Sequence, residues 1–346
     1  MRKLKLLLPG TCLALMVSIV AAQTPGPIRQ VESDQQRRQM ERDARPIVPG
    51  ETAPELYPGE VTDIGPQSIL QYKPRKTYIE AMVDGQYFYT DNMFLDETNR
   101  QATDVFVATA QFALAPTPYD LWGGKLGPRI GYRHQWYMYG LLNDDTVQAV
   151  DFGTTPPSLS PEIELRKFDF NAQTIFTDGR WTVGNWAFDL GFDYTRLMES
   201  DDYDQFYSEY VPRWGVQRVF PLYETGALSL GYAGDYRFTD TDLPPPNFNQ
   251  DFNDRTDHSL YVSFAQSLCR HAVLQPYYRF KYTRFTDGDE RDDYLHSFGV
   301  AVHCFFTEQI ALRAFAGYDM LESSNPVIPD YRRLDTGGGL NLTFRF

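Results

Sequence analysis

The stretch at residues 337–346, GGGLNLTFRF, decides how the chain reads. Leu340, Leu342, Phe344 and Phe346 share one parity, and Asn341, Thr343 and Arg345 share the other. That is the two-residue period of a strand with one apolar and one polar face. The alternation runs to the last residue, where soluble domains usually fray, so the segment is expected to be a structural strand.

The same period recurs from Lys76 onward. Ile79, Ala81, Val83, Tyr87 and Tyr89 oppose Glu80, Asp84 and Gln86, and Phe106, Ala108, Ala110, Phe112 and Leu114 oppose Thr109 and Gln111. Ile130, Tyr132, Trp136 and Met138 oppose Arg133 and Gln135. A fourth segment sets Phe168, Phe170, Ala172 and Phe176 against Lys167, Asp169, Asn171 and Gln173. A fifth sets Trp186, Phe188, Leu190, Phe192 and Tyr194 against Asp189 and Asp193. Continuing this way, the spacing predicts about twelve strands. Short links near residues 177–180, 221–226, 269–271 and 306–308 alternate with longer acidic links, among them 197–205, 239–257 and 286–293. Antiparallel strands joined in turn by short and long connections describe a meander with two unlike ends.

Composition agrees. The chain has 24 Phe, 23 Tyr and 5 Trp, yet its mean hydropathy is −0.44. Strand formers mixed evenly with polar residues suit sheets with two chemically different faces. The formal net charge of −14 disfavours nucleic-acid partners, which need a basic footprint.

The first 75 residues read differently. Arg2, Lys3 and Lys5, an apolar run and Ala21-Ala22 form a secretory signal with expected cleavage after residue 22. Residues 23–75 are polar and Pro-rich and are expected to be a periplasmic extension. Within them residues 30–45, rich in Gln, Glu, Arg and Met, could form a short helix, and residues 23–75 as a whole could plug the barrel. The barrel is expected to span residues 76–346.

Alternation alone does not separate a membrane barrel from a soluble β-protein. Three features favour the membrane. The apolar faces carry no Asp, Glu, Lys or Arg, as lipid exposure demands. The polar faces are charged and balanced: Glu80, Asp84, Asp169, Asp189, Asp193, Glu209, Asp235 and Asp319 against Arg133, Lys167, Arg213, Arg237, Arg279, Lys281, Arg313 and Arg345. That balance suits an enclosed lumen, because the acidic excess lies in the long links. Aromatic residues such as Trp186, Trp214, Tyr294 and Phe344 flank the strands as interfacial girdles do.

On these residues the chain resembles bacterial outer-membrane β-barrels. The closing LNLTFRF is similar to their C-terminal signal, which implies that Leu340, Leu342, Phe344 and Phe346 are read by the barrel-assembly machinery. Residues 55–95 are similar to the start of the β-barrel porin family.

The remaining chemistry is sparse. No metal-binding or cofactor motif is found: the acidic runs at 199–205 and 287–293 lack the EF-hand spacing. His134 lies on an apolar strand face with no Ser or Asn beside it in that strand, so a lipid-acting enzyme is the remote alternative and no catalytic residue is assigned. Cys269 and Cys304 lie at matching heights two strands apart, so a disulfide needs the turn at 269–271 to lean over.

The expectation is an all-β, antiparallel up-and-down barrel of the Gram-negative outer membrane, in contact with its lipid. Its expected function is that of a porin-like channel for passive diffusion of small polar solutes, not an enzyme. A closed structural or interaction barrel is the alternative.

Overall fold

The computed structural model describes residues 26–43 and 77–346, apart from 96, 98–99, 143–145, 148–149, 152–157, 160–162, 224, 242–250, 288–290, 308, 326–327 and 329. The expected signal at 1–22 lies outside the described residues, as do 23–25 and 44–76 of the extension.

Twelve long antiparallel strands form the wall: β1 (Ile79–Thr90), β2 (Thr103–Leu114), β3 (Gly124–Tyr139), β4 (Phe170–Val183), β5 (Trp186–Glu199) and β6 (Gln205–Tyr223), then β7 (Gly226–Thr241), β8 (Arg255–Cys269), β9 (Ala272–Phe285), β10 (Asp292–Phe305), β11 (Ile310–Ser323) and β12 (Tyr331–Arg345). Each pairs with its neighbours in sequence, and β12 returns to β1, so the sheet closes. A short strand, Tyr119–Leu121, adds to the start of β3. Closure leaves no long edge unpaired, which is what a strand-built membrane span requires.

The seam is the stretch that opened the reading. It runs in register from Glu80↔Arg345 to Thr90↔Asp335. The Phe346 N–H donates to the Ile79 carbonyl at 2.9 Å, and its carbonyl accepts from Tyr78 at 2.6 Å and Ile79 at 3.1 Å. Gly337 is needed for close approach: a Cβ there would collide with the Phe88 side chain and the Tyr87 carbonyl. The space it leaves lets Phe88 and Phe315 meet at 6.1 Å between centroids inside the barrel.

Strand parity sorts the faces. Val83, Phe112, Ile130, Leu190, Trp214, Leu260, Phe298 and Phe344 lie exposed on the outer wall, whereas Asp84, Gln111, Arg133, Lys281 and Arg313 are buried within. No helix among the described residues is long and apolar enough to cross a membrane, which says nothing of crossing by strands.

One strand corrects the expectation. In β4 it is Phe170, Ala172 and Phe176 that face inward, buried to 2% exposure or less, while Ile175 is 54% exposed on the outside. Phe170 stacks on Tyr137 at 4.4 Å, and Phe176 lies under the guanidiniums of Arg129 and Arg133. These rings have partners inside the barrel, which reverses the face that apolar patterning assigns. Lys167 falls in a 3-10 turn (Leu165–Phe168) before the strand, and Asp169 caps that turn. Neither lies on the lumen wall.

The strands also run further than the alternation suggested. The tight turn after β4 is at residues 184–185, where Gly184 takes φ +56°, so Asp178 and Arg180 belong to β4 and not to its turn. Arg255 and Asp257 sit in β8, and Asp293 sits in β10, instead of in acidic links.

Candidate functional site

The lumen is occupied by a helix, α1 (Gly26–Asp43, GPIRQVESDQQRRQMERD). Gln, Glu, Arg and Met favour the helix, and Pro27 suits its first turn. An isolated polar helix of this length is marginal in water, so its seat must supply the stability. Ile28 and Val31, one turn apart, join Phe88, Val105, Val107, Tyr137, Phe170 and Leu197 in a buried cluster at the long-loop end.

Charges make the rest of the seat. Arg29 donates to Asp293 at 3.3 Å. Glu32 accepts from Lys281 at 2.9 Å and from Arg255, and lies 3.4 Å from Arg237. Asp34 accepts from Gln135 at 2.7 Å and from Arg38 at 2.9 Å. Arg38 also reaches Asp84 at 2.9 Å and Thr109 at 2.7 Å. Arg37 lies over Phe88 and Phe315, 5.2 and 4.8 Å from their centroids, and 3.6 Å from Asp335. Arg333 donates to Gln30 at 3.2 Å. These polar and cation–π contacts tie the helix to β1 to β3 and to β7 to β12.

Asp257 knits the wall beneath Glu32, 3.4 Å from Lys281 and 3.2 Å from Arg237. Arg237 completes the network on Glu209 and Asp235, each at 3.0 Å. Such clusters add little net stability when complete, but removing one partner is costly.

Below the helix, toward the short turns, the lumen opens into a vestibule of about 640 Å³ floored by Glu32, Gln35 and Arg38. Glu80, Asp189, Asp193, Arg133, Arg213, Arg279 and Arg345 line it. Its charges pair across strands: Arg129 on Asp178 at 2.7 Å, Arg213 on Asp193 at 3.2 Å, Arg180 on Asp189 at 3.3 Å and Arg345 on Glu80 at 3.1 Å.

Of the charges expected on the lumen, Lys167 and Asp169 stand apart at the long-loop end. The others are brought together inside the barrel, with Asp84, Lys281 and Arg313 deep beside the helix. Sequence reasoning missed Arg255, Asp257, Asp293, Asp178, Arg180 and Arg333. Each continues the inward parity of its strand, a signal hidden because these residues were placed in links.

Cys269 and Cys304 are free. Ala272 of β9 pairs with Cys269 on one side and Cys304 on the other. Two strand spacings, about 10 Å, exceed the Cα range of a disulfide. His134 bonds the Tyr132 hydroxyl at 3.1 Å and stacks on Trp136 at 4.2 Å, forming part of an aromatic patch on the outer wall. Among the described residues no group of His, Cys, Asp and Glu is arranged to hold a metal.

A closed barrel that is apolar outside and charged inside is a membrane-spanning barrel, and one built of antiparallel strands with short turns at one end and long loops at the other is an outer-membrane β-barrel. No protein-family model matches the chain, and no curated protein matches it. Solved structures with similar folds include an outer membrane channel from Pseudomonas putida F1 (11% identity, TM-score 0.48, covering 82% of this chain and 100% of that one). The β domain of the Bordetella autotransporter BrkA is similar at 13% identity and TM-score 0.46, covering 78% and 100%. The KdgM porin is similar at 9% identity and TM-score 0.36, covering 76% and 99%. What the barrel does must be argued from its lumen.

Proposed function

We propose that the protein is a porin-like channel for passive diffusion of small polar solutes, held shut by α1. The supporting observation is the chemistry of the helix seat. Among the described side chains, apart from Ile28 and Val31, α1 meets the wall through charged, amide and hydroxyl groups. A plug bound by charges can leave at modest cost, because both surfaces rehydrate once water enters. The vestibule below is polar and is lined at the short-turn end by Thr77, Lys125 and Arg345. Twelve strands lie between the eight that side chains fill and the sixteen to eighteen that leave a wide channel. A bore of that size suits small solutes and can be closed by one helix.

The extent of the same ion pairing favours a second reading, a permanently closed structural barrel. Liposome swelling in neutral sugars separates the two. Intact protein should give slow swelling, and protein lacking residues 26–43 should give rapid swelling that falls with sugar size. Equal, negligible rates for two correctly folded proteins would favour the closed barrel. The resemblance of the closing strand further supports the barrel-assembly machinery as a partner.

A further inference from the structure

The helix α1 has a direction in the bore. Gly26 and Pro27 are half-buried and residues 28–32 are buried. A Cβ on Gly26 would stand 3.3 Å from the carbonyl of Met93, in the connection between β1 and β2. Ile28 and Val31 sit in the cluster that Met93, Phe94 and Phe168 of the long connections close over. Arg29 meets Asp293 and Gln30 meets Arg333, each near the start of a strand that begins at the long-loop end. Further along the helix, Arg38 meets Asp84, midway along β1. The helix therefore descends from the long-loop mouth with its N-terminus at that mouth. In an outer-membrane barrel the long loops face the exterior and the short turns face the periplasm.

The other end of α1 is tied to the opposite side. Residues 44–78 connect Asp43 to Ile79, where β1 starts at the short-turn end. At about 3.3 Å per residue, an extended chain of that length far exceeds the roughly 30 Å of a bilayer core. The connection is long enough to let α1 leave by either mouth, but it decides which exit clears the bore. If α1 left outward, residues 44–78 would have to run through the lumen to reach Ile79, and the bore would stay filled. If α1 left inward, only the chain before Gly26 would follow it through, and that chain is residues 23–25 once the expected signal is removed. The inward path also leads through the polar vestibule, which keeps a charged helix solvated. We infer that α1 is threaded with its N-terminus displayed at the outer surface, and that the bore clears only when the helix is drawn inward. The end before Gly26 is then exposed at the surface when the barrel is shut and withdrawn when it is open. The inward exit rests on the releasable plug proposed above; the threading does not.

The test is labelling of intact cells with a membrane-impermeant maleimide–biotin, in protein carrying Cys269→Ser and Cys304→Ser and normalised for the amount of folded barrel. Thr24→Cys should react on intact cells, and Ser68→Cys, in the connection to β1, only after the outer membrane is permeabilised. Thr24→Cys reacting only after permeabilisation, or not at all in the folded protein, would overturn the threading, as would Ser68→Cys reacting on intact cells. Adding Arg38→Glu to Thr24→Cys should reduce labelling of intact cells severalfold, with the loss recovered on permeabilisation. Where Arg38→Glu fails to fold, Asp84→Arg sets two guanidiniums face to face and should act the same way. Undiminished labelling in a variant whose bilayer conductance has risen would overturn the inward exit. Labelling and conductance both unchanged would overturn the releasable plug and the inward exit with it, while the threading is decided by the first two variants.

Discussion

Arg38 of the lumen helix donates to Asp84 of β1 at 2.9 Å, and both side chains are buried. This contact ties the plug to the first strand of the wall near the middle of the bore. Arg38→Glu would set a third carboxylate against Asp34 and Asp84, so the helix should spend more time unseated. The expected outcome is a higher open probability in planar bilayers. Adding Asp84→Arg should restore the quiet baseline, since the pair is then reversed and not lost.

Glu32 is the other anchor. Its carboxylate faces Lys281, Arg255 and Arg237. Removing one partner of a buried ion cluster costs about 3–5 kcal/mol when water cannot enter. Here the lumen can flood, so Glu32→Gln should weaken the seat by the lower end of that range while leaving the wall folded. Amide hydrogen exchange should accelerate in residues 26–38 and remain slow in β8 and β9.

At the seam, deletion of Phe346 removes three backbone hydrogen bonds with Tyr78 and Ile79 and one apolar side chain. The yield of heat-modifiable, membrane-inserted protein should fall severely. The fraction that does fold should conduct like the intact chain, because Phe346 is far from the helix seat.

One acid outside the strands gives a pH dependence. Burial pushes the Asp169 carboxyl up to about 6, partly offset by the Tyr139 N–H that donates to it at 2.8 Å. In the unfolded chain it titrates at about 3.9. The folded state therefore binds more protons between these values, and this contribution to stability is full below the lower one and lost as pH rises through about 6. Asp169→Asn should raise the denaturation midpoint near neutral pH and make no difference at strongly acidic pH.

Much of this fold is legible because lipid and lumen impose opposite chemistries on alternate residues. Leu340, Leu342 and Phe344 against Asn341 and Arg345 carry that signal without ambiguity. β4 is not legible the same way: Phe170 and Phe176 are apolar but turn inward, to Tyr137 and to the guanidiniums of Arg129 and Arg133. Periodicity records what a residue is and not what it meets. For the same reason the sequence marks a possible short helix over 30–45 but not its seat, since the α1 partners Lys281 and Arg255 lie more than two hundred residues away. Arg133 and Arg279 could be placed on the lumen from parity, but that they face Asp193 and Asp319 emerges only when twelve strands are assembled.

The central claim is that α1 closes a bore that is otherwise continuous. Single-channel recording of the intact protein beside protein lacking residues 26–43 tests it most directly. The account predicts silence or rare brief openings from the first and steady ohmic steps from the second. Equal conductance from the two, or silence from a folded, helix-free barrel, would contradict it.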